Sequence, residues 1–201
     1  MSDPSPAPLV IVLTGPSGVG KDALMHRMRE RGMGIATPAT MTTRPPRGGE
    51  VDGVHHLFVD RPTFERNLEA GELLEHAEVY GNLYGVPRAS IRQALATGHD
   101  VMVRVDVQGA ESLRALLPDA LYVSLEPESP EALRRHLEER ASETPEQVER
   151  RLAIARDEQE RARAFCTPIR NIEGDLDATV DAVRTLLDRE HARPDRAPVV
   201  V

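Results

Sequence analysis

The sequence predicts an α/β fold: a central parallel sheet flanked by helices, with a small mixed α/β insert and a helical lid. Three observations carry this. Leu9–Thr14, Val101–Val105 and Leu121–Leu125 are short apolar runs that read as buried strands. Each is followed by a helix-period pattern, the βα rhythm of a parallel sheet. The first run leads straight into a glycine-rich turn, Gly15-Pro16-Ser17-Gly18-Val19-Gly20-Lys21-Asp22, and then into a helix-forming run, Ala23–Met28.

That turn fits the phosphate-binding loop (P-loop) of NTPases, G-x-x-x-x-G-K-[ST], at seven of eight positions. Glycines let successive N–H groups point at one anion, and the next helix directs its positive dipole end there. Lys21 can reach the β- and γ-phosphates. Asp22 stands where a hydroxyl normally meets Mg²⁺, so the metal site is expected to involve Asp22 itself. A strand before the loop and a helix after it argue against a chance glycine turn.

Helix starts are marked along the chain. Asp60 can cap a helix near Pro62–Gly71, and Ser129 caps ahead of Pro130. Thr144-Pro145-Glu146-Gln147 reads as a capping box, and Asp175 precedes a last helix over Leu176–Glu190. Residues 36–92 break the βα rhythm. Asp52-Gly53 is a hairpin signal, His56–Val59 is strand-like, and a short β segment runs near Glu75–Tyr84. The expected organisation is a core of 9–35 and 93–190 with a lid at about 136–150, an insert of 36–92, and loose ends at 1–8 and 191–201. Prolines and charges fill both ends.

The chain has 201 residues and a net charge of −8, which argues against a nucleic-acid-binding surface. Aromatics are only 3%, so the core must be aliphatic. Cys166 is the single cysteine. It excludes an intramolecular disulfide and a cysteine metal cluster, and suits a reducing, cytoplasmic setting as a small buried side chain. No apolar run approaches ~18 residues, so no membrane span is expected, and the start lacks a signal-type core.

Arg44 and Arg47 lie three apart with two prolines between them. Polyproline geometry has three residues per turn, so both guanidiniums can share a side and converge on a phosphate monoester. Taken alone, the same residues also fit a solvated basic loop. Glu75 and Asp106 are carboxylates in apolar settings. Asp106 follows a strand at the end where open α/β sheets bind ligands. Acceptor-only groups suit a base edge rich in donors, such as guanine. A surface acid for Glu75, and a helix cap or magnesium partner for Asp106, fit as well. Arg140 and Arg151 flank the capped turn before α-helical sequence. They read either as part of a salt-bridged surface with the neighbouring glutamates or as lid arginines reaching a transferring phosphoryl group. His55 and His56 are adjacent, so on a strand they face opposite sides and form no metal pair.

Together, Gly15–Lys21, Thr42–Gly53, Gly81-Asn82-Leu83-Tyr84-Gly85 and Asp106-Val107-Gln108-Gly109-Ala110 resemble the guanylate kinases, over about Leu9 to Leu187. The resemblance implies transfer of the γ-phosphoryl group of ATP to GMP in purine nucleotide metabolism, with Mg²⁺, by a monomer or homodimer. It implies that Gly15, Pro16, Ser17, Gly18, Val19, Gly20, Lys21 and Asp22 bind ATP. Arg44, Arg47 and Tyr84 would hold the GMP phosphate, with His56 standing where the family usually has a tyrosine. Thr40, Glu75 and Asp106 would read guanine. Lys21, Arg44, Arg140 and Arg151 would carry catalysis. The chain departs from the family at Asp22, His56, Val86, His136 and Arg104.

Two other readings compete. Gly-Lys-Asp, Tyr-Gly-Val and Asn171-Ile172-Glu173-Gly174 lean toward kinases that resemble ribose 1,5-bisphosphate phosphokinases. Arg47, Glu75 and Asp106–Gly109 argue against a baseless acceptor. A non-catalytic guanylate-kinase-like binding module would not need Lys21 or the lid arginines.

Overall fold

A computed structural model describes residues 7–79, 81–138 and 144–201. The chain opens with β1 (Val10–Thr14) and α1 (Lys21–Glu30), then a two-residue β2 (Ile35–Ala36). The insert follows as β3 (Thr40–Thr42), β4 (His56–Phe58), α2 (Arg61–Glu69), β5 (Leu73–Val79) and β6 (Asn82–Pro87). The core resumes with α3 (Arg88–Leu95), β7 (Asp100–Arg104), α4 (Val107–Leu116) and β8 (Leu121–Pro127). It ends with α5 (Pro130–Glu138), α6 (Pro145–Arg163), β9 (Thr167–Asn171) and α7 (Leu176–His191).

The five-stranded core sheet has the order β2-β7-β1-β8-β9, and all its pairings are parallel. Successive side chains on a strand alternate faces. Ile11 and Leu13 therefore pack with α1 and α7, through Leu24, Val180 and Val183. Val10 and Val12 pack toward α3 and α4, through Ile91, Val107 and Leu113. Cys166 is buried in this second cluster, as expected, and burial pushes its thiol up to about 12.

The caps form as the sequence predicts. The side chains of Asp60, Ser129 and Asp175 accept from the backbone N–H groups of Thr63, Ala132 and Ala178. Thr144 and Gln147 form a reciprocal capping box.

Two expectations are corrected. Asp52-Gly53 does not close a hairpin, because β3 and β4 are parallel. The segment between them leaves at the Thr42 end of β3 and crosses back to enter β4 at the opposite end, beside Thr40, and Asp52-Gly53 is one turn within it, with Gly53 at φ 76°. The antiparallel partner of β3 is β6, some forty residues away, in the order β4-β3-β6-β5. The residues after 191 do not trail away from the molecule. Val199 and Val201 pack on the second core cluster, Arg92 donates to the Val201 carbonyl at 2.7 Å, and Arg196 donates to the carbonyls of Ala7 and Pro8. Valines among the tail's prolines and charges supply the apolar surface for this docking. Residues 1–6 of the expected loose start lie outside the described residues.

The described residues of the expected lid, 136–138 and 144–150, are the end of α5 and the start of α6. These helices share an apolar cluster of Leu133, Leu137, Val148, Leu152 and Ala155, and Arg134 pairs with Glu149 at 2.5 Å. Among the described residues, no helix is long and apolar enough to cross a membrane.

Candidate active site

The phosphate loop is built by backbone geometry. Gly15, Gly18 and Gly20 have φ of 136°, 86° and 99°, the left-handed region that favours glycine. Gly15 is also confined: a Cβ there would lie 2.3 Å from the Leu125 carbonyl oxygen. Gly20 is the N-cap of α1 and supplies no side-chain cap. The first N–H groups of α1 therefore remain for an anion to satisfy. Lys21 folds back and donates to the carbonyls of Gly15 and Pro16.

Asp22 is exposed and forms an ion pair with Arg104, the last residue of β7. The expected metal ligand is thus already engaged with a cation. Burial lowers the pKa of the Arg104 guanidinium. Among the described residues no group of three His, Cys, Asp or Glu side chains could hold a metal ion.

The insert sheet sorts its side chains by face. Met41, Leu57, Leu73 and Leu83 pack on Phe64 of α2. The alternate positions face the other way. Thr40 pairs in register with His56, and Thr42 with Phe58 and Tyr84. Ala77 is opposite Tyr84, and Glu75 lies two residues before it on β5. Thr40, His56, Tyr84 and Glu75 therefore share one face. Thr40 Oγ1 and His56 Nδ1 are 2.7 Å apart, and the His56 ring packs edge-on to Phe58 and Tyr84. Burial, then the neighbouring Arg44, lowers the His56 pKa, which favours a neutral ring.

Arg44 is 9% exposed and points over the Phe58 ring, 5.6 Å from its centroid. Its guanidinium grips Glu50 with two bonds, of 2.8 and 2.7 Å. The same carboxylate accepts from the Arg47 backbone N–H at 2.7 Å. These bonds hold the Glu50 carboxyl down to about 2. Glu50 was not legible as a site residue, although an acid three positions after Arg47 is a usable signal. The Arg47 side chain is exposed, so Arg44 and Arg47 do not start from equivalent positions.

Glu75 reaches across to the core. A Cβ built on Gly109 of α4 would lie 3.1 Å from its carboxyl carbon. Burial, with Asp106 nearby, pushes the Glu75 carboxyl up to about 7. Asp106 caps α4 by accepting from Gly109 N at 2.8 Å, which is the cap that its sequence position allowed.

α6 brings Glu158 toward the same region. Its carboxyl pKa is raised by burial, opposed by the attraction of Lys21 and assisted by the repulsion of Asp106. This acid gave no sequence signal beyond the α6 charge pattern. Arg151 is half-buried on α6, two turns earlier on the same face, while Arg140 lies outside the described residues. Asn171 and Glu173, taken as a lean toward a sugar-phosphate acceptor, have structural partners. Asn171 donates to the Val19 carbonyl, and Glu173 pairs with Arg135 and His136.

Comparison with known proteins fits this arrangement. The family model described as guanylate kinase matches residues 8–190. A guanylate kinase of Symbiobacterium thermophilum is 42% identical, over 95% of this chain and 90% of that protein. The chloroplastic/mitochondrial guanylate kinase 2 of rice is 41% identical, over 98% of this chain and 69% of that protein. The crystal structure of guanylate kinase from Anaplasma phagocytophilum superposes with a TM-score of 0.71 at 30% identity, covering 96% of this chain and 90% of that one. A family match over residues 8–190, with a relative 42% identical over 95% of this chain and 90% of its own length, means that this chain belongs to the guanylate kinase family.

Proposed function

We infer that this protein is an enzyme that transfers the γ-phosphoryl group of ATP to GMP, giving ADP and GDP. The observation that carries this reading is Glu75. A half-buried carboxylate stands at the seam of insert and core, on the sheet face that also bears Thr40, His56 and Tyr84. A baseless sugar phosphate lacks the adjacent pair of N–H donors that guanine offers it. The family match likewise favours GMP over that alternative.

The roles follow from chemistry. ATP phosphates enter the cradle of Gly15–Lys21, and Lys21 exchanges its carbonyl partners for the β- and γ-phosphates. Arg44, pre-set by Glu50, holds the GMP phosphate together with Arg47, Tyr84 and His56. The paired bonds of a guanidinium match such an oxyanion. Thr40, Glu75 and Asp106 accept from guanine donors. An oxygen of the GMP phosphate then attacks the γ-phosphorus in line. The β–γ bridging bond breaks and its electrons remain on ADP. The protein's part is positioning and neutralising charge, which Lys21, Arg151 and Arg140 of the lid supply.

Mg²⁺ fits as a partner of ATP. Asp22 offers one hard oxygen beside the loop, and this ion favours one or two carboxylates plus phosphate oxygens and waters. Asp22 would hold it once released from Arg104, and the ion would neutralise charge on the phosphates. The three-part organisation, with core, 36–92 insert and lid, supports closure over two nucleotides. The same reading assigns the protein to purine nucleotide metabolism and, from its single buried thiol, to a reducing cytoplasm, as a monomer or homodimer.

A coupled ADP-release assay across GMP, dGMP, AMP, UMP and ribose 1,5-bisphosphate tests the proposal. GMP should exceed the other ribonucleotides by about 10³ in kcat/KM. Efficient use of ribose 1,5-bisphosphate with poor use of GMP overturns it.

A further inference from the structure

The phosphate loop is braced from behind by a one-way chain of hydrogen bonds. Thr179, in the first turn of α7, is fully buried. Its Oγ1 accepts from Ile172 N at 3.0 Å and lies 3.1 Å from Asn171 Oδ1. A hydroxyl has one proton. With Ile172 N–H already donated to it, that proton goes to Asn171 Oδ1. The orientation of the Asn171 amide is thereby set, and its NH₂ group faces the Val19 carbonyl at 2.9 Å.

This fixes more than one carbonyl. In a trans peptide the C=O of Val19 and the N–H of Gly20 point in opposite directions. Holding the carbonyl outward, toward the end of β9, turns the Gly20 N–H inward, into the cradle. Gly20 also accommodates the brace sterically, since a Cβ there would lie 2.7 Å from Asn171 Nδ2.

We propose that Thr179 and Asn171 are positioning residues for phosphate binding: they lock the Val19–Gly20 peptide so that the Gly20 N–H is aimed before the nucleotide arrives. This rests on the ATP reading above. Preorganised donors act without reorganisation at the moment of binding, so loosening the brace weakens every ligand that uses the cradle.

The test compares the wild-type protein with Thr179→Val, Thr179→Ser and Asn171→Asp by calorimetric titration. ATP, inorganic tripolyphosphate and GMP are the three ligands. Valine keeps the shape of threonine and ends the relay; aspartate cannot donate to Val19. Both variants should bind ATP and tripolyphosphate about tenfold more weakly. Thr179→Ser should retain wild-type affinity, and GMP affinity should stay within about twofold. Unchanged tripolyphosphate affinity in both variants overturns the proposal, as does a loss seen for ATP alone. An equal loss for GMP also overturns it, because that reports general damage. Should Thr179→Val fail to fold, Asn171→Asp carries the comparison. A wild-type protein that binds ATP and tripolyphosphate but does not phosphorylate GMP refutes the acceptor and leaves these comparisons intact.

Discussion

Glu75 of β5 and Gly109 of α4 touch so closely that a Cβ on Gly109 would lie 3.1 Å from the Glu75 carboxyl carbon and 3.0 Å from Val105 Cβ. The glycine is what admits the carboxylate. Gly109→Ala gains up to about 1 kcal/mol of helix propensity. Crowding at Val105, whose Cβ cannot swing away from its backbone, offsets that by about 1–3 kcal/mol. Glu75 has to shift. The expected result is a Tm between unchanged and several degrees lower, a KM for GMP raised by about tenfold or more, and an unchanged KM for ATP. Steady-state kinetics with each substrate varied checks this.

Lys21→Ala should lower kcat by about 10²–10⁴ while leaving the fold intact by circular dichroism. The ammonium donates to the carbonyls of Gly15 and Pro16. Their loss frays a loop already braced through Val19. Near-normal turnover would remove the lysine from catalysis.

Glu50 should matter for GMP without touching it. Its carboxylate binds the Arg44 guanidinium twice and the Arg47 backbone once. Glu50→Gln keeps the shape but halves the acceptors and removes the charge that fixes Arg44. A misplaced phosphate clamp should cost about 10–10² in kcat/KM for GMP, with AMP affected alike. A loss confined to GMP would mean that Glu50 reads the base instead.

The sequence exposed the loop and hid its supports, for identifiable reasons. Gly15, Gly18, Gly20 and Lys21 follow a local rule set by backbone conformation, so spacing alone reveals them. The three apolar strands are equally local. β2 is too short to leave a pattern, and β9 reads Thr-Pro-Ile-Arg-Asn, with a proline that an edge strand tolerates. The turn chemistry of Asp52-Gly53 was read correctly, but not its pairing, because β3 takes β6 as its antiparallel partner. The shared face of Thr40, His56, Tyr84 and Glu75 depends on that long-range register. The Glu50–Arg44 clamp, the Arg104–Asp22 pair and the Thr179–Asn171 relay likewise arise only once distant segments meet.

The Asp22–Arg104 pair should govern the metal response. Asp22 must leave Arg104 to serve a cation, so the pair competes with Mg²⁺. Arg104→Ala should shift the Mg²⁺ activation curve to lower concentration, and Asp22→Asn to higher. The double variant should resemble Asp22→Asn, because Arg104 acts on the metal only through Asp22. Magnesium titrations at fixed ATP and GMP test this. Three superimposable curves would exclude Asp22 from the metal site.

The pH dependence of GMP use should report Glu75. Only the ionised carboxyl can accept both guanine donors at once. Burial and Asp106 push this group up to about 7, so kcat/KM for GMP should rise through that pH and level off above it. The GMP phosphate titrates near pH 6 and adds its own limb. Glu75→Gln separates them by deleting the limb near 7 and keeping the other. Stability runs the opposite way. The folded pKa lies above the ordinary carboxylate value, so the folded state favours the protonated form. Glu75 therefore costs nothing below about pH 4.5, and its penalty grows as pH rises to about 7 and persists beyond. Glu75→Gln should raise Tm by about 3–6 °C at pH 8 and by little at pH 4.5. Equal Tm shifts at both pH values would show that the buried carboxyl is not titrating near neutrality, and the GMP limb would then need another source.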